Sequence, residues 1–279
     1  MKINLAKSAG FCFGVKRAID IAYKTLACNK KVCMLGNIVH NEDVARKLEK
    51  AGIKKLQRLS CGKNKTFLIR AHGASLKITN RAGKLGYKII DATCPMVKEI
   101  HKIARGAESL GRAVIVIGDK LHDEVQGIIG QLKKRAIVIE SAEHIPWGRL
   151  KKIKKASVIV QSTQNSTKAV KIVGALKTRI KDLELFNTIC RPTRLKQLEM
   201  ENIPLENELM IIIGSKTSAN TKRLYEISKS LNKSSYWVCS KKDLRTEWFK
   251  GVNSVGITAG ASTPDDTTKE IIASIKKIT

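Results

Sequence analysis

The sequence predicts an α/β protein built from three similar domains, and three observations support this prediction. Short apolar runs typical of strands alternate with helical patterns whose apolar residues are spaced three and four apart. A cysteine recurs three times at the end of such a run and the start of such a pattern. A polar residue then follows each cysteine by 28 positions: His40 after Cys12 (40 − 12 = 28), His122 after Cys94 (122 − 94 = 28) and Ser218 after Cys190 (218 − 190 = 28).

Equal offsets indicate one unit used three times, in the order strand, helix, strand, polar turn, helix, strand, polar turn, helix. The strands before the first polar turns are predicted at 32–36, 113–118 and 209–214, and the second polar turns at 71–75, 161–165 and 259–264. Because the last helix of the third unit ends the chain, we expect its closing strand from residues 2–6. The predicted domains are 12–94, 95–189 and 190–279, the last completed by the N-terminal segment 1–11.

Composition restricts the class of protein. The chain has 279 residues, of which 43% are hydrophobic, enough to bury a core. No apolar run approaches the roughly 18 residues of a membrane span, and the N-terminus lacks the apolar segment of a signal peptide. We therefore expect no membrane association and a cytoplasmic location. Seven cysteines, an odd number at irregular spacing, fit thiols or cofactor ligands better than a disulfide framework.

The charge is high but diffuse. A formal net charge of +29 and a pI near 10.0 would by themselves suggest a nucleic acid or another anionic surface as partner. The lysines, however, are scattered over every predicted helix, and aromatic residues make up 4% of the chain. No stacking motif, zinc finger or helix-turn-helix pattern is present. We do not expect nucleic acid to be the partner.

The three repeated cysteines are candidate metal ligands, because a helix N-terminus favours the thiolate form. Three thiolates would leave one iron of a 4Fe-4S cluster without a protein ligand, and they could equally hold zinc with an open fourth position. The spacing alone does not separate these alternatives. The other four cysteines are predicted to pack in the interior: Cys28, Cys33, Cys61 and Cys239.

Polar residues after the predicted strands indicate an anion site. The loops that carry His40, His72 and His122 would lie at the ligand-binding edge of the sheets. Together with helix N-termini, a hydroxyl group and Asn220, they would suit a phosphate group. Glu124 would repel a phosphate, so we expect it to be protonated as a proton donor, or placed next to a hydroxyl. His101 and His144 are interpreted as solvated or capping residues.

Eight short motifs follow one another in order over nearly the whole chain. They are GFCFGV at 10–15, VHN at 39–41, AHG at 71–73, DATCP at 91–95, HDEV at 122–125, TIC at 188–190, GSKTSAN at 214–220 and TAGAS at 258–262. Together they resemble the family of 4-hydroxy-3-methylbut-2-enyl diphosphate reductases, the last enzymes of the non-mevalonate isoprenoid route. The resemblance implies a trefoil of three α/β domains around a central iron-sulfur cluster.

The resemblance also implies roles for individual residues. The reaction would be a reductive dehydroxylation that yields isopentenyl and dimethylallyl diphosphate, with electrons from a ferredoxin or flavodoxin and the substrate hydroxyl on the open iron. Glu124 would deliver protons, with Ser162 and Thr163 beside it. The 4Fe-4S cluster would be held by Cys12, Cys94 and Cys190. The diphosphate would be bound by His40, His72, His122, Ser218, Ala219, Asn220 and Ser262.

Three positions depart from the pattern common in that family. Asp123 stands where proline is common and adds a negative charge close to the expected phosphate pocket. Ser162 replaces a threonine but keeps the hydroxyl, so its hydrogen bond is expected to survive. Ala219 replaces a serine, which would remove one contact of about 0.5 to 1.5 kcal/mol if that side chain binds the phosphate.

Overall fold

The computed structural model describes residues 1–278, so the final residue of the predicted third domain, Thr279, lies outside the described residues. Strands and helices alternate through this part of the chain. The strands are β1 (Lys2–Leu5), β2 (Val32–Leu35), β3 (Lys54–Leu56), β4 (Thr66–Ile69), β5 (Lys88–Asp91), β6 (Ala113–Ile117), β7 (Ile137–Ile139), β8 (Lys155–Val160), β9 (Asp182–Phe186), β10 (Leu209–Ile213), β11 (Ser235–Val238) and β12 (Ser254–Ala259).

The helices and strands follow the predicted order, except that each repeated unit has one additional strand, β3, β7 or β11, between its second predicted helix and the strand before its second polar turn. Two short 3-10 helices, Lys241–Asp243 and Thr246–Phe249, precede β12. The α-helices are α1 (Phe13–Cys28), α2 (Glu42–Lys50), α3 (Leu76–Lys84), α4 (Pro95–Ser109), α5 (Asp123–Ile129), α6 (Trp147–Leu150), α7 (Ser166–Lys177), α8 (Arg191–Asn202), α9 (Ala219–Leu231) and α10 (Asp265–Ile278).

Among the described residues, the strands form three parallel sheets of four strands each, which confirms the predicted α/β class. The strand orders are β3-β2-β4-β5, β7-β6-β8-β9 and β11-β10-β12-β1. These three orders are equivalent if β1 takes the place that β5 and β9 hold in the other two sheets. It does so by pairing in parallel with β12, with Lys2 opposite Ser254 and Leu5 opposite Ile257.

Contact clustering divides the chain into two compact units. The terminal unit comprises residues 1–16, 39–45 and the chain from 191 onward, and the central unit comprises 17–38 and 46–190. The three-domain boundaries therefore stay a prediction. The central unit contains the sheets β3-β2-β4-β5 and β7-β6-β8-β9, and the terminal unit contains the sheet that β1 completes.

The continuous apolar strands are explained by packing on both faces of their sheets. In β6, Ile115 and Ile117 belong to one core cluster and Val116 belongs to another, and all three are fully buried. Side chains of a strand alternate between faces, so both faces of this sheet are covered by helices. Within residues 1–278, no helix is long and apolar enough to cross a membrane.

Candidate functional site

The predicted site residues are divided between the two units, and each unit is described by itself. The central unit holds Cys94, Cys190, His72, His122, Glu124, Ser162 and Thr163. The terminal unit holds Cys12, His40, Ser218, Ala219, Asn220 and Ser262.

Each of the three predicted ligand cysteines lies at the start of a helix, as the sequence predicted. Cys94 is the N-cap of α4, with Pro95 at the first helical position, while Cys12 and Cys190 directly precede α1 and α8. All three side chains are half-buried. Their thiols therefore lie next to backbone N–H groups that no helical carbonyl can satisfy, a setting that favours the thiolate.

A repeated backbone hydrogen bond ties each cysteine to a polar turn. In every case the cysteine N–H donates to the carbonyl of the residue just before a predicted site residue, namely His72, Thr163 or Ser262. The three bonds are Cys94 N to Ala71 O at 2.9 Å, Cys190 N to Ser162 O at 3.0 Å, and Cys12 N to Ala261 O at 3.1 Å. The repeat predicted from residue offsets is thus present in the hydrogen bonds as well.

Glu124 is buried and bonded to Ser162 in the central unit. Its side chain is 1% exposed, Oε1 accepts the Ser162 N–H at 2.6 Å, and Oε2 lies 2.6 Å from the Ser162 hydroxyl. Burial raises the pKa of the carboxyl above its ordinary range, and the two bonds from Ser162 only partly oppose this effect. The carboxyl therefore holds its proton to higher pH than an exposed glutamate does.

His122 is oriented by the helix that it begins. Its Nδ1 accepts the Glu124 N–H at 3.1 Å, so His122 is the N-cap of α5. A neutral ring that accepts at Nδ1 carries its proton on Nε2, which makes Nε2 the donor. The His72 ring stands edge-on to it, with the ring centroids 5.6 Å apart and an interplanar angle of 87°.

The turn after β8 carries the other predicted catalytic hydroxyl. Thr163 is half-buried, and its Oγ1 accepts from the Gln161 side-chain amide at 2.9 Å. Gln161 is fully buried, and its Oε1 accepts the Asp119 N–H at 2.9 Å. Gln161 joins the turn to the segment before α5, a role the sequence reasoning missed because the two residues are 42 positions apart.

In the terminal unit, Asn220 lies near the N-terminus of α9, where Ser218 is the N-cap. The Ser218 hydroxyl accepts the Thr221 N–H at 3.3 Å. Asn220 is 4% exposed, and among the described residues neither its side-chain oxygen nor its side-chain nitrogen has a hydrogen-bond partner. A buried amide without partners is costly, so this arrangement is typical of a group that bonds a ligand. The adjacent Ala219 is buried, and its side chain offers no polar atom.

His40 and Ser262 are joined in the same unit, because the Ser262 hydroxyl donates to the His40 carbonyl at 2.9 Å. Two residues after His40, the Glu42 carboxylate accepts from the hydroxyls of Ser215 and Thr217 at 2.8 and 3.0 Å. Partial burial acts to raise the pKa of Glu42, but these bonds hold it below its usual range. The sequence analysis did not single out Glu42.

Lys196 is a buried cation that the sequence analysis also missed. It is 2% exposed, and its ammonium donates to the carbonyls of Ser8, Gly10 and Ala259, the last two at 3.1 and 2.9 Å. These carbonyls precede Cys12 and the turn of Ser262. Lysine is ordinarily a surface residue, so only the observed burial and bonds of Lys196 identify it as a support of the Cys12 loop.

Three expectations about other residues were wrong. His101 is not solvated: it is 7% exposed, and burial lowers its pKa to about 4. Its ring fits against Gly73, where an added Cβ would lie 2.7 Å from His101 Cε1. Cys28 and Cys61 are exposed instead of packed, while Cys33 is buried as predicted and Cys239 is half-buried.

Comparison with known sequences gives full-length matches. The family described as LytB protein matches residues 3–276. The 4-hydroxy-3-methylbut-2-enyl diphosphate reductase of Aquifex aeolicus strain VF5 is 39% identical over 280 residues, covering 99% of this chain and 96% of that protein. The protein of the same name from Geotalea uraniireducens strain Rf4 is 38% identical over 278 residues, covering 100% and 98%.

Solved structures match as well. A structure of (E)-4-hydroxy-3-methyl-but-2-enyl diphosphate reductase, described as the terminal enzyme of the non-mevalonate pathway, has a TM-score of 0.72 at 38% identity, covering 99% of this chain and 100% of that one. The E-1-hydroxy-2-methyl-but-2-enyl-4-diphosphate reductase from Plasmodium falciparum has a TM-score of 0.90 at 29% identity, covering 98% and 87%. Both agree with the fold described above.

Proposed function

Because this chain belongs to the LytB protein family, we propose that it converts 4-hydroxy-3-methylbut-2-enyl diphosphate to isopentenyl and dimethylallyl diphosphate by reductive dehydroxylation. The chain is an oxidoreductase of the kind its relatives' names describe. The observation that carries the proposal is the buried Glu124 carboxyl, which is hydrogen-bonded to Ser162 and follows His122 directly.

We propose that Cys12, Cys94 and Cys190 hold a 4Fe-4S cluster. The residues fit this group, because all three are half-buried thiols at helix starts and sulfur ligands of this type favour iron-sulfur clusters or zinc. When bound, such a cluster would supply electrons one at a time and one iron without a protein ligand. The hydrogen bond from each cysteine N–H to its polar turn would hold the thiols in place.

Loss of the substrate hydroxyl as water requires a proton, and Glu124 is suited to give it. Burial raises the pKa of this carboxyl, so it holds its proton to higher pH than an exposed glutamate does, as a general acid requires. Ser162 hydrogen-bonds both oxygens of the Glu124 carboxyl. When Oε2 carries the proton, the carboxyl donates to the Ser162 hydroxyl. Ser162 would thereby orient Glu124, and Thr163 in the same turn would position the substrate hydroxyl.

The diphosphate would be bound by neutral donors and helix N-termini. In the central unit, His122 donates from Nε2 at the start of α5, and His72 lies beside it. In the terminal unit, the Asn220 side-chain amide at the start of α9, next to the Ser218 cap, finds no hydrogen-bond partner among residues 1–278. Backbone N–H groups at helix starts favour phosphate oxygens, and a bound anion would satisfy the Asn220 amide nitrogen.

Electrons would come from a ferredoxin or flavodoxin. Such carriers are acidic, and a chain with a formal net charge of +29 would attract an acidic partner. Charge attraction of this kind raises the association rate and weakens as salt is added.

Anaerobic iron and sulfide analysis with an electron paramagnetic resonance spectrum tests the proposal. We expect a brown protein with about four irons and four sulfides per chain, the stoichiometry of this cluster type. Replacing Cys12 by Ser should remove the cluster, and Cys28→Ser is a matched control, because Cys28 ends the helix that Cys12 precedes and is exposed. A colourless protein with one tightly bound zinc would instead favour a hydrolase.

A further inference from the structure

Asp123, the residue that replaces the proline common in the family, is engaged in a bidentate ion pair. It lies between His122 and Glu124 at the first position of α5. Its carboxylate oxygens accept from the Arg70 guanidinium at 2.7 and 2.8 Å, from Nη1 to Oδ2 and from Nη2 to Oδ1. Two parallel bonds of this type fix both the distance and the orientation of the joined groups.

Arg70 follows a strand of one sheet, β4, whereas Asp123 begins the helix that follows β6 of another sheet. Arg70 directly precedes the Ala71–His72 turn, whose carbonyl accepts the Cys94 N–H. Gly36, at the end of β2, leaves room for the guanidinium: a Cβ added there would lie 2.5 Å from Arg70 Nη1. The ion pair therefore joins the loop that carries His72 to the helix that begins at His122.

We propose that the Arg70–Asp123 ion pair positions His72 and His122 for the diphosphate, and that Arg70 neutralises the negative charge that Asp123 brings to this pocket. Both are positioning residues, since they act through the two histidines. The inference rests on the proposed function for the identity of the ligand. It accounts for a carboxylate beside an anion site, which would otherwise repel the ligand.

The proposal makes the effect of Asp123 depend on Arg70. If Asp123 were only an added charge, its neutralisation in Asp123→Asn would strengthen anion binding. If the ion pair positions the histidines, Asp123→Asn should weaken anion binding. Arg70 then loses its ion-pair partner, and His72 and His122 are no longer held at a fixed distance. With Arg70 already replaced, the remaining carboxylate only repels the anion, so removing it should help.

Titration calorimetry of the anaerobically purified holoprotein with inorganic pyrophosphate measures this dependence. We expect Asp123→Asn and Arg70→Met each to weaken binding roughly tenfold, the loss typical of one charge-assisted hydrogen bond. The double variant should bind no more weakly than Arg70→Met. With the full substrate, Asp123→Asn should raise KM more than it lowers kcat, and Arg70→Lys should keep part of the affinity.

The Arg112–Asp182 pair is a matched control in the same unit. It is also bidentate, at 2.7 and 3.0 Å, but it lies at the amino ends of β6 and β9, at the opposite edge from the polar turns. Asp182→Asn should leave pyrophosphate binding within twofold of the wild type. Equal or tighter binding by Asp123→Asn would overturn the positioning role alone, whereas a wild-type protein that does not bind pyrophosphate would overturn the diphosphate site as well.

Discussion

Three equivalent positions of the chain lie in different environments. Thirty residues after each repeated cysteine, and two after each offset residue, the chain has Glu42, Glu124 and Asn220. Each lies in the first turn of a helix that follows a strand of a parallel sheet. Glu42 is exposed, however, while Glu124 and Asn220 are buried at 1% and 4% exposure.

The two glutamates differ most in their neighbours. Glu42 accepts from the hydroxyls of Ser215 and Thr217 and is partly solvated, so its pKa is lowered. Glu124 also has two donors, both from Ser162, but it is buried, and burial raises its pKa. The comparison teaches that burial outweighs hydrogen bonding when the carboxyl is fully enclosed. The first glutamate suits a structural anion and the second suits a proton donor.

The largest expected effect is on turnover. Glu124→Gln should lower kcat by roughly 10² to 10⁴-fold, the usual contribution of a general acid, while cluster content and pyrophosphate affinity stay near those of the wild type. Glu42→Gln, at the equivalent position, should lose far less activity. The measurement is substrate consumption with an artificial one-electron donor, and equal losses in the two variants would contradict the assignment of Glu124.

A smaller effect is expected at the third equivalent position. Asn220→Leu removes two buried polar atoms that have no partner among the described residues. It should therefore raise the free energy of unfolding of the ligand-free protein by about 1 to 3 kcal/mol and weaken pyrophosphate binding roughly tenfold. Thermal melting measures the change in stability, and titration calorimetry measures the change in pyrophosphate affinity. An Asn220→Leu protein that is less stable but binds pyrophosphate normally would indicate a packing role for Asn220.

The smallest effects concern stability and pH, and they should have opposite signs at the two glutamates. The folded-state pKa of Glu124 lies above its ordinary value of 4.5, so stability is lost as pH rises from about that value through the folded-state pKa. Glu124→Gln should therefore melt higher than the wild type at neutral pH, with a difference that vanishes near pH 4.

Glu42 has a lowered pKa, so its contribution is present above the ordinary pKa and is lost as pH falls. Because it is exposed, Glu42→Gln should cost only about 0 to 1 kcal/mol at neutral pH. Melting curves of both variants between pH 4 and 8 compare the two slopes. Slopes of the same sign would mean that burial does not control the Glu124 carboxyl.

The features that could be predicted from the sequence, the strands and the repeated offset, depend on local patterns. The apolar runs of β6 and β10 are continuous because their sheets are covered on both faces, so strand position follows from hydrophobicity alone. The offset between Cys94 and His122 recurs in the other two units because the helix and the strand between the two positions have similar combined lengths. Such a repeat is visible in the sequence alone. Features that depend on distant partners left no such pattern, among them the contact of Arg70 with Asp123 across 53 positions and the burial of His101 against Gly73.

The sequence by itself determined the repeat, the sheets and the placement of three cysteines at helix starts, because each of these depends on residues close together in the chain. Only the tertiary structure decided which of two equivalent glutamates is buried, that Arg70 forms an ion pair with Asp123, and that Lys196 bonds the loop before Cys12. Burial and charge pairing depend on what packs around a side chain. Those neighbours come from distant segments that no local pattern reveals.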